Sequence, residues 1–407
     1  MLQIANPRER AAVAAADAVL RLASLARRGR TRPAPAAIER VLVLRLERIG
    51  DLIMSLPALH ALRTLAPGAR IDLVTGAWNE ALARQIAGVD AVETMNAPWL
   101  ARGERGSSWR ALLQQAGAWR TRRYDLAINL EGDIRSNLLL SRAGAGWSAG
   151  FGMAGGGPLL DEDVPFDVNS HTAVNGVRLV RAALGASPAR QPWPAEGRAA
   201  AAQLPRAGLT IPPAERAAAD AMLAPAATRP LVGLHIGAGR AVKEWPASRL
   251  AETGAWAVRE REAAIVLTGS ATDRARADEV RGALPAGATI IDTVGNAPLV
   301  TLAAVLSRLS LLVTPDTGPM HLAAVLGTPL VALFGPSSPE RWGPLSANAR
   351  IVRVDLPCSP CNRIRNPPAR CRGRTPDCMD RIVVGRIIDE AAGLLDRTRL
   401  EPADGTR

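Results

Sequence analysis

Three loops hold the residues able to do chemistry. The first lies in 311–336, LLVTPDTGPMHLAAVLGTPLVALFGP. Leu311 to Thr314 is a short apolar run, Asp316 or Thr317 caps a helix running to about Leu326, Gly327 ends that helix, and LVALFG is the next strand. A tight strand-to-helix turn gathers unpaired N–H groups at the positive end of a helix dipole, which suits a phosphate. Asp316 and His321 are the polar residues of this otherwise apolar stretch. An ordinary βαβ unit with a capping Asp makes the same turn, so the spacing alone leaves both readings open.

The second loop runs from His235 to Lys243. It offers Gly237 and Gly239, where a backbone can approach a ligand closely, and one ammonium. The third is Arg48-Ile49-Gly50-Asp51, a carboxylate beside a helix N-terminus. A carboxylate opposed to a diphosphate site fits group transfer. The carboxylate takes a proton from an acceptor hydroxyl while Lys243 and backbone amides stabilise the leaving diphosphate. The bland alternatives are an Asp51 that only caps its helix, a His321 that supports its neighbours, and a His235 that bonds an adjacent loop. Lys243 carries extra weight because it is the only lysine; every other one of the 50 basic residues is arginine. Arginine cannot replace a compact ammonium at a phosphate without changing the geometry.

These loops follow apolar runs that read as strands: 41–46, 69–76, 91–96, 124–130, 231–237, 263–269 and 289–295, each followed by a helical pattern. Pro57 stands near the start of the first of these helices, over 52–67, or kinks it. Alternation of this kind predicts parallel sheets covered by helices, with ligands at the carboxyl ends of the strands. The pattern occurs twice, interrupted by the Ala- and Pro-rich stretch 185–230. The expected organisation is an N-terminal helix and linker (1–38), an α/β domain (39–205), a second α/β domain (206–396) and a tail (397–407). The helix predicted over 7–29 has apolar positions Val13, Ala16, Val19, Leu20, Ala23 and Ala26. It either packs on the body, the favoured reading, or lies on an anionic membrane surface.

Composition narrows the class. A chain that is 48% hydrophobic and 22% charged is globular. No apolar run is long enough for a membrane span, and MLQIANPRER lacks a signal pattern, so a cytoplasmic location is expected. A net charge of +12 implies an acidic partner, such as an anionic lipid or a phosphorylated glycan. Nucleic acid is disfavoured, because aromatics are only 3% and no stacking or zinc-finger motif occurs.

All four cysteines fall in the segment 358–378: Cys358, Cys361, Cys371 and Cys378. The C-x2-C-x9-C-x6-C spacing suggests a structural zinc more than an iron–sulfur site; disulfides and reduced thiols are the alternatives. Four thiolates would fill a tetrahedral shell, leaving no place for an activated water. Arg363, Arg365, Arg370, Arg372, Arg374 and Arg381 surround the cluster and suit a phosphorylated lipid or plain solvent.

Four stretches resemble the signature blocks of glycosyltransferase family 9, the lipopolysaccharide heptosyltransferases: RLERIGDLIMSLPALHALR, DLAINLEGDIRSNLLLSRAGAGWSAGFG, HIGAG with KEWP, and PDTGPMHLAAVLGTPLVALFGPSSPERWGP. The resemblance runs from about Val41 to Ile388. It implies a GT-B fold, two Rossmann-like domains facing each other across a cleft, and inverting transfer of heptose from ADP-heptose to the inner core of lipopolysaccharide. By position, Asp51 matches the general base, Gly50 the glycine beside the acceptor hydroxyl, with Arg48 on the same acceptor side. Lys243 matches the lysine on the donor diphosphate. Asp316, Thr317 and Gly318 match the residues that hold the donor sugar and phosphates, supported by His321, and Asp273 the acid that binds the adenosine ribose. No cofactor is required for the chemistry. The chain departs from the family with Ile236 in place of a proline and with Glu131 and Asp133 where neutral residues are more usual. Those two acids bear on which acceptor is taken. Two rivals remain: a nucleotide-sugar epimerase of the same fold, disfavoured by the RIGD block, and an inactive glycan-binding protein, disfavoured by joint retention of Asp51, Lys243 and Asp316.

Overall fold

The computed structural model describes residues 7–24, 30–100, 106–186, 201–226 and 228–400. The expected helix extension over 25–29, residues 187–200 of the Ala/Pro-rich crossing and the end of the tail (401–407) lie outside the described residues. The chain forms two compact units, Met1–Glu196 with Leu204–Thr210, and Gly197–Gln203 with Ile211–Arg407.

The first unit is built on six parallel strands: β1 (Arg40–Arg45), β2 (Arg70–Thr75), β3 (Ala91–Thr94), β4 (Leu126–Asn129), β5 (Trp147–Gly150) and β6 (Glu162–Asp163). Their spatial order is β3-β2-β1-β4-β5-β6. The second unit has β7 (Leu231–His235), β8 (Ala264–Thr268), β9 (Ile290–Asp292), β10 (Leu311–Pro315), β11 (Leu330–Leu333) and β12 (Ala349–Val352). Their order is β12-β11-β10-β7-β8-β9, which is the same topology repeated. The central strands are apolar and buried along nearly their whole length, as a sheet covered on both faces requires. The order reverses where β1 meets β4 and where β7 meets β10. At such a switch point the outgoing loops part and leave room for a ligand.

The helix predicted over 52–67 is two helices, Ile49–Met54 and Leu56–Leu65, parted at Ser55 with Pro57 in the first turn of the second. Proline fits there because that turn needs no N–H donor. The N-terminal helix Pro7–Ser24 packs on the first unit: Val13, Ala16, Asp17 and Leu20 are half-buried, and Gly156 donates its N–H to Asp17 at 2.7 Å. Val19, expected on the packed face, is 67% exposed. β5, β6 and β12 have no counterpart in the sequence expectation. Trp-Ser-Ala-Gly and Glu-Asp are too short or too polar to register as apolar strands, and they pair because their neighbours are already in place.

Candidate active site

In the first unit every candidate residue stands at the β1/β4 switch point. β1 is an apolar strand that ends in Arg45, a guanidinium only 3% exposed. Burying it requires partners for its donors. Nε donates to the Asp51 carbonyl at 3.1 Å, Nη1 donates to the Leu130 carbonyl and pairs with Glu47 at 2.9 Å, and Nη2 lies 3.7 Å from Asp51 Oδ1. The loop 46–48 is pinned from outside as well. The Glu47 carbonyl accepts from Trp78 Nε1 at 2.8 Å and from Asn79 Nδ2 at 2.9 Å.

Asp51 is the third residue of helix Ile49–Met54, and its Oδ2 accepts the Arg48 N–H at 3.1 Å. The cap role and the chemical role therefore coexist: one oxygen closes the helix turn, the other faces Arg45, and the side chain keeps 25% of its surface open. Gly50 is buried in the same turn. Arg48 lays its guanidinium over the Trp78 ring, 4.9 Å from the centroid, and donates to the Leu100 carbonyl.

Glu131, at the end of β4, accepts the Leu46 N–H and is fully buried. Burial pushes its carboxyl up to about 7, against the opposing pull of Arg45 and the Leu46 hydrogen bond. Asp133, the other departure from the usual block, caps helix Ile134–Arg142 by accepting the Arg135 N–H at 2.8 Å.

The second unit repeats the plan at β7/β10. Lys243 closes a short turn, Ala241–Lys243, and donates from Nζ to Asp316 Oδ2 at 2.7 Å and to the Asp316 carbonyl at 3.1 Å. Both side chains are largely buried. Burial would raise the Asp316 carboxyl, but the charges of Lys243 and His321 and the Lys243 hydrogen bond hold it below its ordinary range. Asp316 is therefore the partner of the lysine and not a helix cap. Thr317 takes the cap position of helix Gly318–Val325, and His321 is buried in that helix.

Asp273 lies against Gly237. A Cβ on that glycine would stand 2.2 Å from Asp273 Oδ1, so any larger residue there would displace the carboxylate. The carboxylate also accepts from Ser270 N at 2.7 Å and Ser270 Oγ at 2.6 Å, which fixes it at the start of its helix. Gly239 lies exposed on the same loop. His235 is neutral and buried, with its ring 2.9 Å from Thr268 Oγ1; burial lowers its pKa to about 4.

The four cysteines line one cavity of about 280 Å³ together with Val242, Pro336 and several arginines. All four are free thiols, from exposed Cys358 to buried Cys378. Among the described residues no group of three or more His, Cys, Asp or Glu side chains is placed to hold a metal ion. The thiols have the right chemistry for zinc, but no three of them are placed to share one ion, so the metal expected at Cys358, Cys361, Cys371 and Cys378 does not fit this arrangement of side chains. The segment braces the candidate donor side instead. Ser359 Oγ donates to the Gly335 carbonyl at 2.6 Å, and Asn362 N donates to the Pro336 carbonyl at 2.7 Å, both in the loop after β11.

Residues 111–370 match the family model of glycosyltransferase family 9 (heptosyltransferase). The chain belongs to that family. It is 30% identical to lipopolysaccharide heptosyltransferase 2 of Salmonella typhimurium over 328 residues, 77% of this chain and 88% of the relative. It is likewise 30% identical to lipopolysaccharide heptosyltransferase 1 of Pseudomonas aeruginosa over 352 residues, 79% and 86% of the two chains. The solved E. coli ADP-heptose LPS heptosyltransferase II superposes with a TM-score of 0.70 at 25% identity, covering 88% of this chain and 99% of that one. This family 9 protein is thus a glycosyltransferase of GT-B fold, and the epimerase alternative is not favoured. Arg45 is the residue of the site that motif reasoning passed over. Its signal was present: one charge closing the apolar run VLVLR.

Proposed function

We propose that the protein transfers a heptose from ADP-heptose to the lipopolysaccharide core, with inversion and in one displacement. The observation that carries this reading is the Lys243–Asp316 pair at the β7/β10 switch point, the repeat of the place that Asp51 takes at β1/β4. Asp51 accepts the proton of the acceptor hydroxyl. The hydroxyl oxygen bonds to the anomeric carbon as the bond from that carbon to the diphosphate oxygen breaks, and the electron pair leaves with the nucleoside diphosphate. Lys243 and the N–H groups at the start of helix Gly318–Val325 receive that charge. Thr317, Gly318 and Asp316 hold the donor sugar and phosphates, His321 supports them from within the helix, and Gly237, Gly239 and Asp273 line the nucleoside side. Gly50 and Arg48 sit on the acceptor side.

The positive charge that the step needs comes from the chain itself, and the cysteine cavity is assigned no part in it. The 39–205 and 206–396 divisions serve as acceptor and donor domains. We place the enzyme in the cytoplasm with peripheral contact to the inner membrane. No helix among the described residues is long and apolar enough to cross a membrane, and the basic surface suits an anionic one. The experiment is ADP release from ADP-heptose in the presence of core oligosaccharide, for the parent and Asp51→Ala. A drop of about 10²–10⁴-fold in kcat/KM is expected for loss of a general base; parental turnover in the variant removes Asp51 from that role.

A further inference from the structure

The first unit carries an aromatic surface that the transfer step does not use. Trp99 and Trp109 stack with ring centroids 5.1 Å apart and planes 23° apart. The Arg135 guanidinium lies over Trp99, 4.7 Å from its centroid. Each member is fixed in advance. Arg135 makes two bonds to Asp133, at 2.8 and 2.6 Å, and Asp133 caps the helix that carries Arg135. Trp109 opens helix Trp109–Ala118 directly after its cap, Ser108, whose Oγ accepts the Ala111 N–H at 3.2 Å.

Only part of this assembly is buried. Trp99 packs against the core of its unit, whereas Trp109 is 41% exposed. An indole that is held flat at the surface loses little conformational freedom when a ligand covers it. The assembly is also tied to the candidate base. Arg48, whose N–H donates to Asp51, donates from its side chain to the carbonyl of Leu100, the residue after Trp99.

We propose that the Trp99–Trp109 stack, rimmed by the Arg135–Asp133 pair, is an acceptor subsite that binds a pyranose ring of the glycan. A pyranose has an apolar C–H face and a periphery of hydroxyls. The indole covers the face, and the ion pair offers both donors and acceptors to the rim. A nucleobase would stack equally well, but the candidate nucleoside side belongs to the other unit, at Asp273. The subsite sets which sugar lies near the reacting hydroxyl. It rests on the glycosyl-transfer reading of Asp51.

The test uses the full chain and its Trp109→Ala and Trp109→Phe variants, assayed with ADP-heptose and a deacylated lipopolysaccharide inner-core oligosaccharide. Trp109→Ala should raise the acceptor KM about tenfold, as loss of an aromatic stacking partner does. The donor KM should stay put, and Trp109→Phe should recover most of the affinity. An unchanged acceptor KM in Trp109→Ala, beside a parent that transfers heptose, overturns the subsite and leaves the transferase reading intact. Equal changes in both KM values, with a lowered melting temperature, also overturn it, because they mark a structural residue. A parent that binds ADP-heptose but transfers to no core oligosaccharide overturns the transfer reading itself, and the subsite falls with it.

Discussion

Arg45 holds Asp51 from beneath: its Nε donates to the Asp51 carbonyl at 3.1 Å and its Nη2 stands 3.7 Å from Asp51 Oδ1. The same guanidinium binds the Leu130 carbonyl and Glu47. One buried fork thus fixes the end of β1, the end of β4 and the carboxylate in a single arrangement. The proposed base is therefore held twice, by the Arg48 N–H of its own turn and by a strand residue behind it.

Substitution of Arg45 separates position from charge. Arg45→Lys keeps the charge but cannot span the carbonyls of Asp51 and Leu130 together. We expect kcat to fall by roughly one to two orders of magnitude with a smaller change in KM. Arg45→Met leaves buried acceptors without donors and should cost about 3 kcal/mol in chemical denaturation. Parental kcat in Arg45→Lys would show that the fork does not position the base.

Lys243→Ala should fail in two ways. Asp316 is left as a buried carboxylate without its cation, costing about 3 kcal/mol. The donor KM should rise at least about tenfold, as for loss of a charge-assisted contact to phosphate. The sign of the pH effect follows from Asp316, whose pKa the fold holds below its ordinary value. Its contribution is present above the ordinary carboxylate range and is lost as pH falls. Acid unfolding of Lys243→Ala should therefore show a shallower dependence than the parent. Superimposable acid-unfolding curves would contradict the pairing.

Glu131 gives the opposite slope. Its carboxyl is raised from the ordinary 4.5 to about 7 in the fold. A raised pKa means that the folded state prefers the proton. The stabilisation is present below the ordinary value and disappears as pH climbs through about 7. Glu131→Gln keeps an acceptor for the Leu46 N–H and cannot ionise. It should match the parent near pH 5 and exceed it at pH 8, by at most about 3 kcal/mol. Denaturation at the two pH values decides, and a gap of constant size would count against the assignment.

The cysteines should label in order of exposure. In chelator-treated protein, exposed Cys358 reacts first with a disulfide reagent at pH 8 and buried Cys378 last. Burial and the neighbouring thiols raise Cys378 to about 11, so almost none of it is thiolate at that pH. Mass spectrometry of the labelled peptides reads the order; early modification of Cys378 would place it outside the buried edge of the cavity.

Much of this was legible beforehand, for identifiable reasons. β1, β4, β7 and β10 lie buried on both faces, so they appear as unbroken apolar runs. Lys243 stood out by rarity, and Asp316 by being an acid in an apolar segment. Their mutual bond was not legible, because 73 residues separate them and only the β7–β10 adjacency brings them together. Asp316 therefore looked like a cap. Glu131 and Asp133 looked alike in sequence, yet one is buried under β1 and the other caps a helix at the surface. The cysteine spacing suggested an ion, and the four thiols do meet at one cavity, but spacing along a chain does not set the side-chain placement that an ion needs.

The solitary lysine has a practical side. Apart from the chain's α-amino group, Lys243 is the protein's one primary amine, and the fold keeps it beside Asp316. Reductive methylation with isotopically labelled formaldehyde would therefore place a single ε-dimethylamino resonance in the spectrum of a chain otherwise too crowded to read. Its chemical shift would follow the Asp316 contact directly, and its displacement on titration with ADP would report nucleotide occupancy without a mutation, a dye or a coupled assay.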